Sequence, residues 1–487
     1  MQKFAKFSYL LCLAVLAAAA RPDPVIGQQK KSVALESSRA VGTIDHVVVL
    51  LEVGGDVKAS EQGKVESDKM SVVCTLDYDE RTLEIPNAPG AQLRAIRHYN
   101  KADAVIKVGE GGFKPALREE RRLVAAEIGE GGKTTLLSPL GTLTRDELDL
   151  IDILGNSLLM DRLLPDEPVA LGDTWEHSDK LMAALLGLDA VSESTVVSKL
   201  TEVTDAVVRV EMAGEVQGAI GGVSSEISLK AKYRFDLQTK RIDWLGLLVK
   251  EKRSIGHVLR GVELVARLQM QIGPKDDSAK LSDAALENIS VDDISSKPDD
   301  ALRQLEYESP EAGWRLTHDR CWFVYSADHD HVILRLIERG ELLAQCNISP
   351  LPDFPVDKPE TLAEFQDEIK QALGKKFGEF VQAGQRMNDQ EYRVLRVVVR
   401  GMVEDLPIQW FYYLIADKQG HQLALAFTVE AKLLERLGEA DRTLIDGMRF
   451  VERKPNSDDS EKKADDEKPD EKDDDEKDDN EKDDNEK

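Results

Sequence analysis

Residues 206–236 read AVVRVEMAGEVQGAIGGVSSEISLKAKYRFD, and the alternation within them decides the fold class. Val208, Val210 and Met212, then Ile227, Leu229, Ala231 and Tyr233, recur at every second position. Successive side chains of a strand point to opposite faces, so a period of two puts one face in a core and the other in water. The flanking sequence continues the pattern. Ser194–Thr204, Ala206–Gln217, Ser224–Asp236, Arg241–Arg253 and His257–Ile272 form a succession of long runs joined by short turns. Such a succession predicts an antiparallel meander.

Upstream of the meander, strand-like runs start after Gly42: Ile44 to Leu51, Met70 to Leu76, Gln92–His98, Ala104–Val108 and Arg121–Ile128. Residues 28–40 read as a short exposed leader. A helical interlude lies between the two sets of strands. Thr144 with Glu147 has the spacing of a capping box, and Leu148, Ile151, Leu154 and Leu158 follow at helical intervals. A second helix is expected from Ser178, burying Leu181, Leu185 and Leu186. The first domain therefore spans 42–273, and the polar stretch 274–301 is its expected linker to the next.

From 302 to 452 the order is strands, a helix, strands and a final helix. The strands are Cys321–Ser326, His331–Arg339, Glu341–Ile348, Glu391–Val403, Ile408–Ala416 and Gln422–Val429. Thr361 and Glu364 form a second capping-box pattern, Asp417-Lys418-Gln419-Gly420 is a hairpin turn by composition, and Leu444, Ile445 and Met448 mark the closing helix. The class expected for the whole is α+β, mainly antiparallel β: a large β-meander with inserted helices, then an α-β sandwich.

The two ends differ from the body. Lys3 and Lys6 precede an apolar run from Tyr9 to Ala20, which Arg21-Pro22 breaks. The run is too short to span roughly 30 Å of hydrocarbon as a helix, and it reads as a secretory signal over 1–27, with cleavage after Ala20 or Gly27. The chain is thus expected to be exported, with no transmembrane segment after signal removal. Residues 457–487 hold 18 Asp/Glu and 7 Lys, which is -11 of the formal -27, so residues 1–456 carry -16. The acidic tail has too little apolar content to offset ordering entropy and is expected to be disordered. An acidic body repels phosphate backbones, which argues against nucleic acid as a partner.

The stretch LPIQWFYYLIADKQGHQLALAFTVE, residues 406–430, resembles the late part of a PsbP-like domain through Trp410, Tyr412, Asp417, Gly420, Leu423 and Phe427. The likeness covers about residues 305–450 and implies an interaction or assembly module without a defined active site. The first domain is similar to LolA-like curved half-barrels. Its element Pro165, Pro168, Val169, Gly172, Asp173 and Trp175 resembles exported bacterial β-domains of unknown function.

Few side chains suggest chemistry. Ile128 to Thr134 ends in Gly-Lys-Thr, but Glu127 stands where a phosphate loop requires its first glycine, so the stretch reads as a turn and nucleotide binding is rejected. His329 and His331, with His318 on an adjacent strand, form the candidate metal set, since imidazole suits zinc or copper. Cys321 and Cys346, in neighbouring expected strands, are the candidate disulfide, which leaves Cys74 unpaired. Ile227, Leu229, Trp244 and Leu248 are the candidate lining of an apolar ligand site in a concave sheet. The aromatic run Trp410-Phe411-Tyr412-Tyr413 is read as core.

No established catalytic motif occurs and no cofactor is implied. The leading expectation is a non-enzymatic exported protein that binds a protein or envelope component. The alternatives are a carrier of a lipid or other apolar ligand, and an enzyme of unknown type.

Overall fold

The computed structural model describes residues 32–61, 64–86, 92–129, 132–287, 289, 303–328, 330–354 and 359–453. The secretory-signal and acidic-tail readings lie outside these residues. Among the described residues, no helix is long and apolar enough to cross a membrane.

The protein is mainly antiparallel sheet in an α+β arrangement. The first unit opens with β1 (Ile44–Glu61), β2 (Lys64–Glu84), β3 (Leu93–Val108), β4 (Leu123–Ile128) and β5 (Thr134–Leu137). A short strand β6 (Leu143–Thr144), helix α1 (Arg145–Ile151) and a 3-10 segment (Ser157–Leu163) follow. Strand β8 (Thr174–Glu176) comes after the short strand β7 (Val169–Ala170), and α2 spans Asp179–Leu186. The meander is β9 (Val197–Val203), β10 (Val207–Ile220), β11 (Val223–Asp236), β12 (Arg241–Arg253) and β13 (Gly261–Lys275).

These strands form one large sheet in the order β8-β9-β10-β11-β12-β13-β1-β2-β3-β4-β5. The long pairing of β13 with β1 joins the late meander to the early strands. The inward residues of β11 (Ile227, Leu229, Ala231, Tyr233 and Phe235) are all buried, as the period of two requires. Their face is covered by the helical insert. Leu158, Leu159, Met160 and Leu163 of the 3-10 segment, with Leu181, Met182 and Leu185 of α2, share one core with the strands.

Both inserted helices start where their caps require. Thr144 and Glu147 make a complete capping box on α1, and the Ser178 side chain caps α2. Two expectations for this unit change. The leader is seated: Ser32–Val33 pairs with β7, and Leu35 and the Arg39 side chain are buried. The first domain also continues past 273. Ser278 donates to Asp79, Arg81 donates to the Leu281 carbonyl, and α3 (Asp283–Leu286) packs Leu286 with Leu281 against Ile96 and Leu123.

The second unit contains β14 (Leu305–Ser309), β15 (Trp314–His318), β16 (Trp322–Ala327), β17 (Val332–Glu338), β18 (Glu341–Leu351) and α4 (Leu362–Leu373). It ends with β19 (Phe377–Met387), β20 (Arg393–Val403), β21 (Leu406–Ala416), β22 (Gln422–Glu430), α5 (Ala440–Asp446) and β23 (Met448–Phe450). Its main sheet runs β16-β17-β18-β22-β21-β20-β19. Helix α4, opened by the Thr361–Glu364 capping box, packs Phe365, Ile369 and Leu373 on one face against Leu395, Val397 and Trp410. Trp314, Leu316, Leu444 and Ile445 cover the other face, where Phe411 and Tyr413 are buried as core. The Asp417 carboxylate accepts from the N–H groups of Gln419, Gly420 and His421 at 2.9 Å each, which closes the expected hairpin.

The two units share a sheet. Strand β6 of the first pairs in parallel with β14 of the second, within the order β23-β15-β14-β6. Arg118 ties the seam, donating to both Glu147 oxygens at 2.7 Å and to Glu306 at 3.2 Å. At a second point two hairpin tips meet: Gly222 after β10 and Gly340 after β17, both with positive φ, touch backbone to backbone.

Candidate functional site

The element from Pro165 to Trp175 builds a turn and then a cleft. Val169–Ala170 pairs with the leader. Gly172 reverses the chain at φ +90, a conformation that favours glycine. Asp173 closes the turn: its carboxylate accepts from the Ala170 N–H at 2.8 Å, and its own N–H donates to the Ala170 carbonyl at 2.9 Å. Trp175 then lies half-buried, its indole N–H donating to the Leu163 carbonyl at 3.0 Å. The motif is thus a sheet entry whose tryptophan is oriented by the insert.

Around this turn lies a cleft of about 550 Å³. Its wall includes Trp175 and Leu164, and its rim carries Arg162, Asp166, Glu167, Glu176 and Lys180. Among the described residues none of these five charges has an ion-pair or hydrogen-bond partner, and all five are exposed. The adjoining strand β8 is the end of the large sheet.

His177 sits at the back of the cleft. Its Nε2 lies 2.7 Å from the Ser198 hydroxyl, which also receives Tyr233 at 3.2 Å. Burial pushes the imidazole down to about 4, so it is neutral at pH 7. The neutral ring and the Ser198 hydroxyl share one hydrogen bond, whose direction follows the ring's tautomer. Ser198 is fully buried, so this chain of hydroxyls braces the cleft wall rather than presenting a nucleophile.

A second group, missed in the sequence, holds the insert against the sheet. Glu80 on β2 and Arg97 on β3 are opposite each other and buried, with Arg97 Nε donating to Glu80 at 2.8 Å. Arg39 donates to Asp161 at 2.6 Å and to Glu80 at 3.4 Å, while Arg241 pairs with Asp45. Arg97 also reaches Asn156, and Ser157 donates to Glu80, so the 3-10 segment is fastened to the strands through this network. Burial alone would raise the Glu80 carboxyl, but Arg97 and Arg39 hold it below the ordinary value.

The expected site residues fall elsewhere. Ile227 and Leu229 are buried on the inward face, whereas Trp244 and Leu248 are on the outward one. The register shows it: Leu248 is opposite Lys230 and Trp244 opposite Arg234, and cross-strand partners share a face. The four do not line one site, and the inward face is filled by the insert.

The disulfide is not formed, since Cys321 is a free exposed thiol and Cys346 a free buried one. Cys321 precedes β16 while Cys346 lies on β18, with β17 between them. Two strand spacings are about 9.5 Å, beyond the roughly 7 Å that a disulfide bridges.

The candidate metal set is not brought together either. His318 is buried on β15 in the shared sheet, its Nδ1 2.8 Å from the Asp319 carbonyl. His331 stands at the turn before β17 in the other sheet, 3.1 Å from the Ser349 hydroxyl. His329 lies outside the described residues. Among those described, no group of three or more His, Cys, Asp or Glu side chains is placed to hold a metal ion.

No protein-family model matches the chain, and no curated protein sequence matches it. Among solved structures, the chain is similar to cyanobacterial PsbP (CyanoP) from Synechocystis, at 14% identity and a TM-score of 0.26, over 31% of this chain and 93% of that one. It is also similar to the Ran-binding protein Mog1p of Saccharomyces cerevisiae, at 10% identity and a TM-score of 0.25, over 31% and 96%. A Pseudomonas aeruginosa protein of unknown function, PA94, matches at 15% identity and a TM-score of 0.22, over 31% and 99%. Likeness at this level assigns this chain neither activity nor partner.

Proposed function

We propose that this chain is an exported binding protein whose first domain takes an extended peptide segment bearing both acidic and basic side chains. The observation that carries the reading is the cleft beside β8, where charges of both signs stand unpartnered next to an oriented indole. A sheet that ends at β8 offers main-chain N–H and C=O groups to an added strand, and strand addition draws affinity from the main chain and selectivity from flanking side chains. Export rests on the Lys3–Ala20 pattern. The second domain, with its Asp417 hairpin and closing helix, is read as a PsbP-like module that contributes an interaction surface.

The test is a peptide-display selection against the full chain, followed by calorimetric titration of the strongest peptide. Glu176 and Lys180 are exposed and unpaired, so Glu176→Lys and Lys180→Glu leave the melting temperature unchanged. Each reversal is expected to weaken that peptide at least tenfold, about 1.4 kcal/mol. A peptide that binds both variants as tightly as the parent chain overturns the assignment.

A further inference from the structure

The second domain has a cleft of its own, about 400 Å³, between the edge strand β19, the faces of β20 and β21, and helix α5. We propose that it binds a small oxyanion ligand, one presenting a carboxylate or phosphate group.

The argument is a count of donors and acceptors. Arg396, on the floor, donates through Nε to the Tyr413 hydroxyl at 2.6 Å, through one terminal nitrogen to Asp441 at 2.9 Å and through the other to Gln382 at 2.8 Å. A guanidinium has five N–H groups and no acceptor, so two remain without a partner among the described residues. Asp441 is buried and Tyr413 donates to it at 2.5 Å, so the arginine is held from behind. Its plane also lies near the Phe411 and Tyr413 rings, 5.2 and 5.6 Å from their centroids. It is oriented before any ligand arrives.

Two further arginines add donors to the cleft. Arg386 and Arg442 line it, and each makes one exposed ion pair, to Asp446 at 2.5 Å and to Glu439 at 2.7 Å. Gln382 Oε1 receives Arg396, and Gln385 Oε1 receives Arg393 at 3.1 Å. Their amide N–H groups add further donors. Asp446 is the carboxylate on the lining, and its pair with Arg386 is half-exposed and therefore weak, so an incoming anion displaces it at little cost. Arginine forks match carboxylate and phosphate oxygens two at a time, so an oxyanion satisfies this donor set. In a chain of net charge -27, three arginines lining one cleft set it apart from the acidic surface.

The experiment is calorimetric titration of the full chain with inorganic phosphate and, separately, with citrate. Saturable one-site binding of either supports the proposal, and the tighter of the two identifies the preferred oxyanion. Arg386→Gln with Arg442→Gln alters only exposed pairs, so the fold persists, and the double variant is expected to weaken binding at least tenfold. Asp446→Asn removes the competing carboxylate and is expected to tighten binding two- to fivefold. Absence of saturable binding by both anions, or an unchanged Kd in the double variant, overturns the site. This cleft is separate from that beside β8, so neither result bears on the peptide reading.

Discussion

Replacing Glu80 by Gln is expected to destabilise the first domain by about 3–5 kcal/mol, the cost of stranding a buried partner charge. Arg97 and Arg39 both face that carboxylate, and when it is lost Arg97 is left with the neutral groups Asn156, Ser157 and the Tyr78 ring, 4.9 Å away. The effect has a pH signature. The folded carboxyl titrates below its unfolded value, so its stabilisation is complete above about pH 4.5 and is lost as pH falls through the folded value. The gap between wild type and Glu80→Gln should therefore be widest at neutral pH and close in acid. Urea denaturation at pH 7 and at pH 3 measures it. Adding Arg97→Met to the variant should recover part of the loss, because a neutral pair replaces an orphaned charge. A loss below about 1 kcal/mol at pH 7 would mean that other contacts fasten the insert.

The second large effect is expected at the junction of the hairpin tips. A Cβ added at Gly222 would lie 2.1 Å from the Gly340 Cα, and one added at Gly340 would lie 2.3 Å from the Gly222 Cα. Both glycines have left-handed φ, +74 and +79, which costs other residues about 1–2 kcal/mol before any clash. Backbone cannot move aside as a flexible side chain does, so Gly222→Ala or Gly340→Ala must part the tips. The β6–β14 pairing, the Arg118 fork and the hydrogen bonds of Arg145 to the Arg320 carbonyl, Arg320 to the Leu136 carbonyl and Arg335 to the His257 carbonyl then hold the units together. Scanning calorimetry should show one unfolding transition for the wild type and two, the lower displaced downward by several degrees, for either variant. A single transition at the wild-type temperature would show that the tips contribute nothing to coupling.

How much of this was legible depended on how local each signal was. The period of two in Val208, Val210 and Met212 and in Ile227 to Tyr233 located the meander because burial alternates along each strand without reference to any partner. The capping boxes at Thr144 and Thr361 and the Asp417 turn were legible for the same reason, since each closes within four residues. The face of Trp244 was not. A register shift between β11 and β12 leaves Ile242 and Leu245 inward and turns Trp244 outward, where its ring lies across Gly246. Apolar composition alone cannot signal that.

The ionic network was illegible for a different reason. Arg39, Asp45, Glu80, Arg97, Asp161 and Arg241 come from widely separated segments, and each resembles any of the other charged residues until the fold gathers them. The Pro165–Trp175 element was read only as a resemblance, and its turn at Gly172 and Asp173 emerges from the fold. Its cleft depends on Arg162, His177 and Lys180 from outside the motif, so the site was not readable from the motif. The cysteine and histidine pairings failed because strand order, which neighbouring sequence does not specify, interposed β17 and separated the two sheets.

Hydrogen–deuterium exchange on the full chain, with and without a saturating peptide from the display selection, tests the binding assignment most directly. If the peptide adds as a strand at the sheet's end, the amides of Thr174–Glu176 slow and the new protection is confined to residues 162–181. Saturation with unchanged exchange there, or with protection on another face, would contradict it.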